Sequence, residues 1–157
     1  MISSLWSYGD AREMAKLADR ALQYMWNETI PEGLREPGYC RIVVLGVGGA
    51  GNNTVSRLIE SGIVGAECIA INTDIQHLNV THARHKILIG EKITRGLGSG
   101  GDPGIGRAAI EESIEQVSKF LTDVDIAFIT AGMGGGTGTG AAPVVARIAR
   151  ERGAIVI

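Results

Sequence analysis

The sequence has few of the residues and patterns that mark several common protein classes. Aromatic residues make up only 4% of the 157 positions, and there are only two cysteines. Cys40 and Cys68 each stand at the start of a predicted strand, so we expect both to be small buried apolar residues and not a disulfide framework. No uninterrupted apolar run has membrane-spanning length, and no signal-peptide pattern is present. These absences predict a cytoplasmic protein without a membrane span.

The sequence also lacks an excess of charge of either sign. Lysine and arginine number 15 against 17 acidic residues, for a formal net charge of −2. Such a balance gives no basic surface for nucleic acid or an anionic membrane. A Walker A lysine is missing as well, because no lysine follows a glycine-rich segment at the required place. Any bound phosphate would therefore be met by helix dipoles, backbone amides and a metal ion.

The N-terminal part differs from the rest of the chain. Residues 10–26 show helical periodicity, with Asp10 and Glu13 placed as a capping box. Proline and glycine at 31–38 break this pattern. We expect residues 1–38 to form a helix and linker, and residues 39–157 to form the main domain. The apolar stripe of the helix would dock on its own domain or on a neighbouring subunit, the former being favoured.

From residue 41 onward, apolar strand-like runs alternate with helical patterns. This alternation predicts an α/β fold, a Rossmann-like parallel sheet with helices on both faces. Because the chain stops on a strand-like run, we expect a truncated piece of a longer protein, the alternative being a small domain that ends on a strand. The predicted strands are 42–45, 68–71, 86–89, 126–129 and 154–157, and the predicted helices are 52–60, 75–80, 103–121 and a last one ending near 150.

The 23 glycines concentrate in three segments, each between a predicted strand and a predicted helix. We call residues 46–53, 96–103 and 132–140 the first, second and third glycine segments. The third has six glycines in nine residues, a heavy cost in backbone entropy. It would present bare N–H groups at a helix N-terminus, where anions bind. The hydroxyls of Thr137 and Thr139 could donate to phosphate oxygens or to metal-bound water.

Other residues leave their roles open on sequence alone. Residues 70–74, which we call the Asn-Thr-Asp segment, end the second predicted strand. There Asn72 could bond phosphate or ribose, and Asp74 could hold magnesium or simply cap the next helix. The first glycine segment has the G-x-G-x-x-G spacing of a dinucleotide site, so a dinucleotide-binding oxidoreductase is an alternative, although Asn72 stands where an acidic residue is expected. Histidines 77, 82 and 85 are expected at the surface and not in a metal site.

The four segments together resemble one protein family. Residues 134–140, Gly-Gly-Gly-Thr-Gly-Thr-Gly, match the signature of the tubulin/FtsZ family at every position. The first glycine segment, the Asn-Thr-Asp segment and residues 95–101 follow in the order and spacing of that family. From about residue 41 the chain resembles the amino-terminal part of its nucleotide-binding domain, in the FtsZ branch of cell-division GTPases. The leading helix resembles the extra helix of some archaeal members.

The resemblance implies binding of GTP or GDP with Mg²⁺, head-to-tail filaments of the protein with itself at the division site, and contact with other cell-division proteins. It places Asn72 near the phosphates, Asp74 near the metal, and the phosphate itself where a side chain at Gly138 would stand. The residues it implies for GTP binding are Gly49, Ala50, Gly51, Asn52, Asn53, Asn72, Gly100, Gly101, Gly135, Gly136, Thr137, Gly138, Thr139 and Gly140.

The resemblance also sets a limit. In the family, the residues that contact the ribose, read the base and complete hydrolysis in the next subunit lie at positions beyond Ile157. It therefore implies no catalytic residue within these 157 positions, and we expect this chain alone to hydrolyse GTP poorly or not at all. A non-hydrolysing fragment that binds filaments is the corresponding alternative.

Overall fold

A five-stranded parallel sheet lies at the centre of the residues that the structure describes, 40–157. The structure is a computed structural model. The strand order is β3-β2-β1-β4-β5, with β1 paired in parallel to both β2 and β4. This confirms the predicted parallel α/β sheet. The strands are β1 (Ile42–Val47), β2 (Glu67–Asn72), β3 (His85–Leu88), β4 (Ile126–Ala131) and β5 (Ile155–Val156).

Helices connect the strands at the positions that the sequence predicted, with three differences. The first helix begins at Gly48 and not near residue 52, because Gly48 takes a left-handed conformation (φ 72°) that turns the chain directly out of β1. A short helix that was not predicted follows β3. The helices are α1 (Gly48–Glu60), α2 (Ile75–Val80), α3 (Glu91–Thr94), α4 (Pro103–Glu112), α5 (Ile114–Phe120) and α6 (Gly136–Glu151).

The helix predicted over residues 103–121 is divided into α4 and α5. Ser113, between them, leaves helical geometry (φ −109°, ψ 15°), and its Oγ accepts a hydrogen bond from the buried Gly90 N–H at 3.0 Å. That bond gives a buried donor at the end of β3 a partner, which favours the break over a continuous helix. The predicted cap and first residue, Asp102 and Pro103, are confirmed: Asp102 Oδ1 accepts from Gly104 N at 2.7 Å.

Alternate residues of β1 face two different layers, so helices cover both faces of the sheet as predicted. Val43 and Leu45 belong to the larger core, which also contains Ile110 of α4 and Val145 of α6. Val44 lies in the smaller core on the other face, with Val55 of α1 and Cys68 of β2. Within residues 40–157 the α1 face is only partly covered, since Phe128 of β4 remains 39% exposed.

Some predictions concern residues outside the described part or need correction. The helix at 10–26 and the linker to residue 38 lie outside the described residues, so the boundary at 38/39 stays a prediction. Cys68 is buried, as expected. The expectation that Cys40 is also buried is wrong: Cys40 is exposed, because it lies before the first residue of β1 and outside the interior of the sheet. Among residues 40–157, no helix is both long and apolar enough to cross a membrane.

Candidate phosphate-binding site

The three glycine segments and the Asn-Thr-Asp segment meet at the carboxyl edge of the sheet. From β1 the chain passes to β2 and β3 on one side, whereas β4 leads to β5 on the other side. The reversal between the adjacent strands β1 and β4 creates a crevice, where open parallel sheets bind ligands. The first glycine segment leaves β1 at this crevice, and the third leaves β4.

Two of the helices that begin at this edge, α1 and α6, have uncapped N-termini. Neither α1 nor α6 has a side chain that caps its first N–H groups, and neither carries an acidic residue in its first turn. The N-terminus of α4 differs, because the carboxylate of Asp102 caps it. Uncapped N–H groups and the positive end of the helix dipole attract anions. The edge is therefore built to receive negative charge.

Glycines let the first and third glycine segments touch through their backbones. A Cβ atom at Gly48 would lie 2.8 Å from Gly138 N, and one at Gly132 would lie 2.8 Å from Ala50 Cβ. A Cβ atom at Gly138 would lie 2.6 Å from Gly132 O and 3.3 Å from Val47 O. Side chains at Gly48 and Gly138 would separate the N-termini of α1 and α6. Glycine at these two positions therefore allows the close contact between the two helices.

The expectation that a side chain at Gly138 would occupy the position of the phosphate is wrong. The direction of its missing side chain points into protein backbone and not into space that a phosphate could occupy. Gly136 and Gly140 are crowded in the same way, against Asp102 N at 2.7 Å and Arg107 N at 2.6 Å respectively. By contrast, a Cβ atom would meet no protein atom within 4 Å at four glycines of the site: Gly100, Gly101, Gly134 and Gly135.

The second glycine segment is joined to the Asn-Thr-Asp segment by backbone hydrogen bonds. Gly98 N donates to Thr73 O and Ile75 N donates to Gly96 O, both at 3.0 Å. Gly96, Gly98, Gly100 and Gly101 all have positive φ, which fits glycine and few other residues. These turns and hydrogen bonds hold the second glycine segment beside the Asn-Thr-Asp segment.

Three buried hydroxyl groups connect three of the segments. Thr137 Oγ1 lies 2.7 Å from Thr73 Oγ1 and 3.0 Å from Ser99 Oγ. All three residues are less than 10% exposed. The Thr137 hydroxyl thus bonds to other protein side chains, which leaves its backbone N–H as its contribution to a ligand. Thr139 Oγ1 is buried and has no hydrogen-bond partner among the described residues.

Asparagine side chains link the first glycine segment to the Asn-Thr-Asp segment. Asn52 is fully buried; with its amide assigned by its partners, Nδ2 donates to Gly46 O at 2.7 Å and Oδ1 accepts from Asn72 Nδ2 at 3.1 Å. Asn72 Oδ1 accepts from Thr73 N at 2.9 Å. The structure therefore brings together two residues that the sequence predicted for the site. The side-chain amides of both residues form hydrogen bonds to other protein atoms.

Asp74 caps α2, which was one of the two roles that the sequence left open. Its Oδ1 accepts from Gln76 N at 2.9 Å and from His77 N at 3.1 Å. Oδ2 takes no part in this cap and could still meet a cation. Among residues 40–157, no three His, Cys, Asp or Glu side chains cluster as metal ligands do. A magnesium ion held by one carboxylate and by phosphate oxygens needs no such cluster.

Sequence reasoning missed His77, which was expected to be an ordinary surface residue. Its ring is half-buried, with Nε2 3.0 Å from Asn53 Oδ1 and Nδ1 3.4 Å from Asn72 Nδ2. No local sequence signal indicates these contacts, because the two ring partners come from other segments. His82 is exposed as expected and pairs with Glu60, whereas His85 packs against Phe120.

Comparison with known proteins decides the family. The family model "Tubulin/FtsZ family, GTPase domain" matches residues 41–157. The chain belongs to the tubulin/FtsZ family. This membership confirms the resemblance drawn from the four segments. It also removes the support for a dinucleotide-binding oxidoreductase, which rested on the first glycine segment alone.

Curated relatives and solved structures agree with this membership. The chain is 62% identical over 122 residues to cell division protein FtsZ 2 of Methanocaldococcus jannaschii, covering 78% of this chain and 32% of the relative. It is 58% identical over 117 residues to FtsZ 2 of Haloferax volcanii, covering 74% and 29%. The chain therefore spans about a third of the length of these relatives.

Two solved structures show the same fold, one described as empty and one with a bound GTP analogue. An FtsZ dimer of M. jannaschii, described as empty, superposes with a TM-score of 0.72 at 50% identity, covering 87% of this chain and 37% of that chain. CetZ2 of H. volcanii, a protofilament described as bound to GTPγS, superposes with a TM-score of 0.65 at 31% identity, covering 74% and 38%.

Proposed function

We propose that this chain binds GTP and GDP through their phosphates, as part of an FtsZ-type GTPase of cell division. The observation that carries the proposal is the pair of uncapped helix N-termini, α1 and α6, on adjacent strand ends at the reversal of the sheet. Because their first turns hold no carboxylate, nothing within them repels a polyphosphate. Membership of a family of GTPases is the reason for proposing GTP and GDP as the ligands.

Individual residues receive roles that fit their surroundings. The open glycines Gly100, Gly101 and Gly135 leave room for phosphate oxygens. The backbone N–H groups of residues 48–50 and 136–138, which have no intrahelical partner in the first turns of α1 and α6, donate to them. Asn52 and Asn72 act by holding the first glycine segment against β2, since their amides bond to each other. Gly138 and Gly140 act by allowing close packing of α6.

Magnesium would be held by Asp74 through Oδ2, together with phosphate oxygens and water. A hard cation takes oxygen ligands, and in nucleotide sites one carboxylate beside the phosphates is common. The ion would neutralise part of the phosphate charge, a task for which this site has no Walker A lysine.

The same proposal covers assembly and place of action. The solved FtsZ of M. jannaschii is described as a dimer and CetZ2 of H. volcanii as a protofilament. We propose that the protein containing this chain likewise assembles with itself, head to tail, in the cytoplasm at the division site. Other cell-division proteins would be its further partners.

Calorimetric titration tests the proposal. The 157-residue chain is titrated with MgGTP, MgGDP and magnesium tripolyphosphate, the last of which presents phosphates without a base. We expect all three to bind at one site and to compete. Failure of all three to bind at millimolar concentration would contradict the proposal.

A second experiment tests the hydrolysis of GTP. Residues 41–157 are placed in M. jannaschii FtsZ 2 instead of the matching segment, and phosphate release is measured. Turnover in this chimaera is expected. A chimaera that folds and binds GTP but never hydrolyses it would favour a non-hydrolysing, filament-binding role.

A further inference from the structure

His77 connects two of the segments that meet at the strand ends. It lies on α2, where its N–H donates to Asp74 Oδ1 at 3.1 Å and its C=O accepts from Thr81 N at 3.1 Å. The ring reaches from there toward the first glycine segment. A Cβ atom at Gly49 would lie 3.1 Å from His77 Cε1, so the ring packs directly against the start of α1.

The ring nitrogens have defined partners. Asn72 cannot reverse its amide, because Oδ1 already accepts from Thr73 N at 2.9 Å and Asp74 N at 3.4 Å. Its Nδ2 therefore faces His77 Nδ1, 3.4 Å away, as a donor. Nδ1 must then be the acceptor, and in the neutral ring the hydrogen sits on Nε2. Nε2–H donates to Asn53 Oδ1 at 3.0 Å.

We propose that His77 is a positioning residue, which as the Nε2–H tautomer fixes Asn53 at the mouth of the phosphate site. The bonds form one line from the exposed Asn53 through His77 and Asn72 to the buried Asn52. Asn52 ends this line on the carbonyl oxygens of Gly46 and Ile71, at the ends of β1 and β2.

The consequence for a ligand follows from the chemistry of Asn53. With Oδ1 engaged by His77, the group that Asn53 presents to a ligand is Nδ2, a donor suited to anionic oxygen. Without the bridge, the exposed Asn53 side chain would rotate freely. A ligand would then have to order this side chain on binding, and the entropic cost would weaken the affinity. The inference rests on the proposed function for its ligand, a nucleotide polyphosphate.

The first test needs no ligand. Nitrogen-15 NMR of the imidazole groups in the 157-residue chain distinguishes the two neutral tautomers. We expect Nε2 of His77 to carry the hydrogen and Nδ1 to behave as an acceptor. A ring protonated on Nδ1, or one that exchanges rapidly between tautomers, would overturn the bridge.

The second test compares substitutions by titration with MgGTP and magnesium tripolyphosphate. His77→Phe keeps a ring but removes both nitrogens, and we expect binding weaker by roughly two- to tenfold, the range for one lost hydrogen bond. His77→Gln, which retains a donor and an acceptor, should recover part of that loss. His82→Phe, on an exposed histidine paired with Glu60, is the matched control and should bind as the unaltered chain does.

The outcomes separate the two proposals. If the unaltered chain binds neither ligand, the proposed function fails, and the tautomer measurement alone decides the bridge. If the unaltered chain binds and His77→Phe binds equally well, the positioning role of His77 is wrong and the proposed function stands.

Discussion

The hydroxyl oxygens of Thr73 and Thr137 lie 2.7 Å apart in the interior, joining the end of β2 to the first turn of α6. These residues are 64 positions apart in sequence. Ser99 Oγ completes the cluster at 3.0 Å from Thr137 Oγ1. Thr137 is the shared partner, so it holds the other two segments to the third glycine segment.

Replacing Thr137 with valine should destabilise the fold. The change keeps the shape but removes the hydroxyl that Thr73 and Ser99 share, and leaving buried polar groups without a partner costs about 1–3 kcal/mol. Urea denaturation measures this loss in free energy of unfolding. Thr54→Val is the matched control, because the Thr54 hydroxyl bonds to Ala50 O on the exposed side of α1. Equal effects of the two substitutions would argue against a structural role for the cluster.

Alanine at two glycines of the third glycine segment should act in different ways. At Gly138 the new Cβ would press on Gly132 O and Val47 O, and such overpacking costs about 1–3 kcal/mol of stability. At Gly135 it would enter open space with an extended backbone (φ −107°), so stability should change little. Gly135→Ala should instead weaken the binding of MgGTP. Denaturation and calorimetry on both variants check this contrast, and reversed effects would refute it.

Arg41 should be a major stabilising residue at the opposite edge of the sheet. Its guanidinium donates to Thr122 O at 2.6 Å and to Glu67 Oε2 at 2.7 Å, and its side chain is only 17% exposed. Because bonds to charged groups contribute more than neutral ones, Arg41→Met should cost about 1.5–3 kcal/mol. Arg107→Met, in an exposed pair with Glu111, should cost no more than about 0.5 kcal/mol. Denaturation midpoints compare them, and similar losses would contradict this view of Arg41.

The two cysteines should react at very different rates. Cys40 is exposed, whereas Cys68 is buried, and burial raises the pKa of the Cys68 thiol. A raised pKa means less thiolate at neutral pH, and thiolate is the reactive form. Iodoacetamide should therefore modify Cys40 in the folded chain and Cys68 only after unfolding in urea. Peptide mapping by mass spectrometry would show the order, and equal labelling of both in the folded chain would disprove it.

The fold was predictable because its signals are local. Apolar runs such as that of β1 are typical of strands buried on both faces, and Asp102 with Pro103 marks the start of α4. The division at Ser113 was not predictable, since it depends on Gly90 N, which is distant in sequence. A hydrogen bond between remote residues leaves no periodic pattern to read.

The candidate site was predictable as a set of segments but not as a set of contacts. The sequence indicated that glycine segments follow strands and so share one edge of the sheet. It could not show that Gly138 faces protein and Gly135 faces open space, because that depends on how α6 packs against β1. The role of His77 was hidden for the same reason, since its ring partners come from two other segments.

If the four segments form one phosphate-binding site, a bound polyphosphate should change the amide chemical shifts of all four. The 157-residue chain, labelled with nitrogen-15, is titrated with MgGDP and magnesium tripolyphosphate. Both ligands are expected to shift the same amides, those of residues 49–53, 72–74, 100–101 and 135–140. Shifts confined to other parts of the chain, or no shift with either ligand, would contradict a single phosphate-binding site.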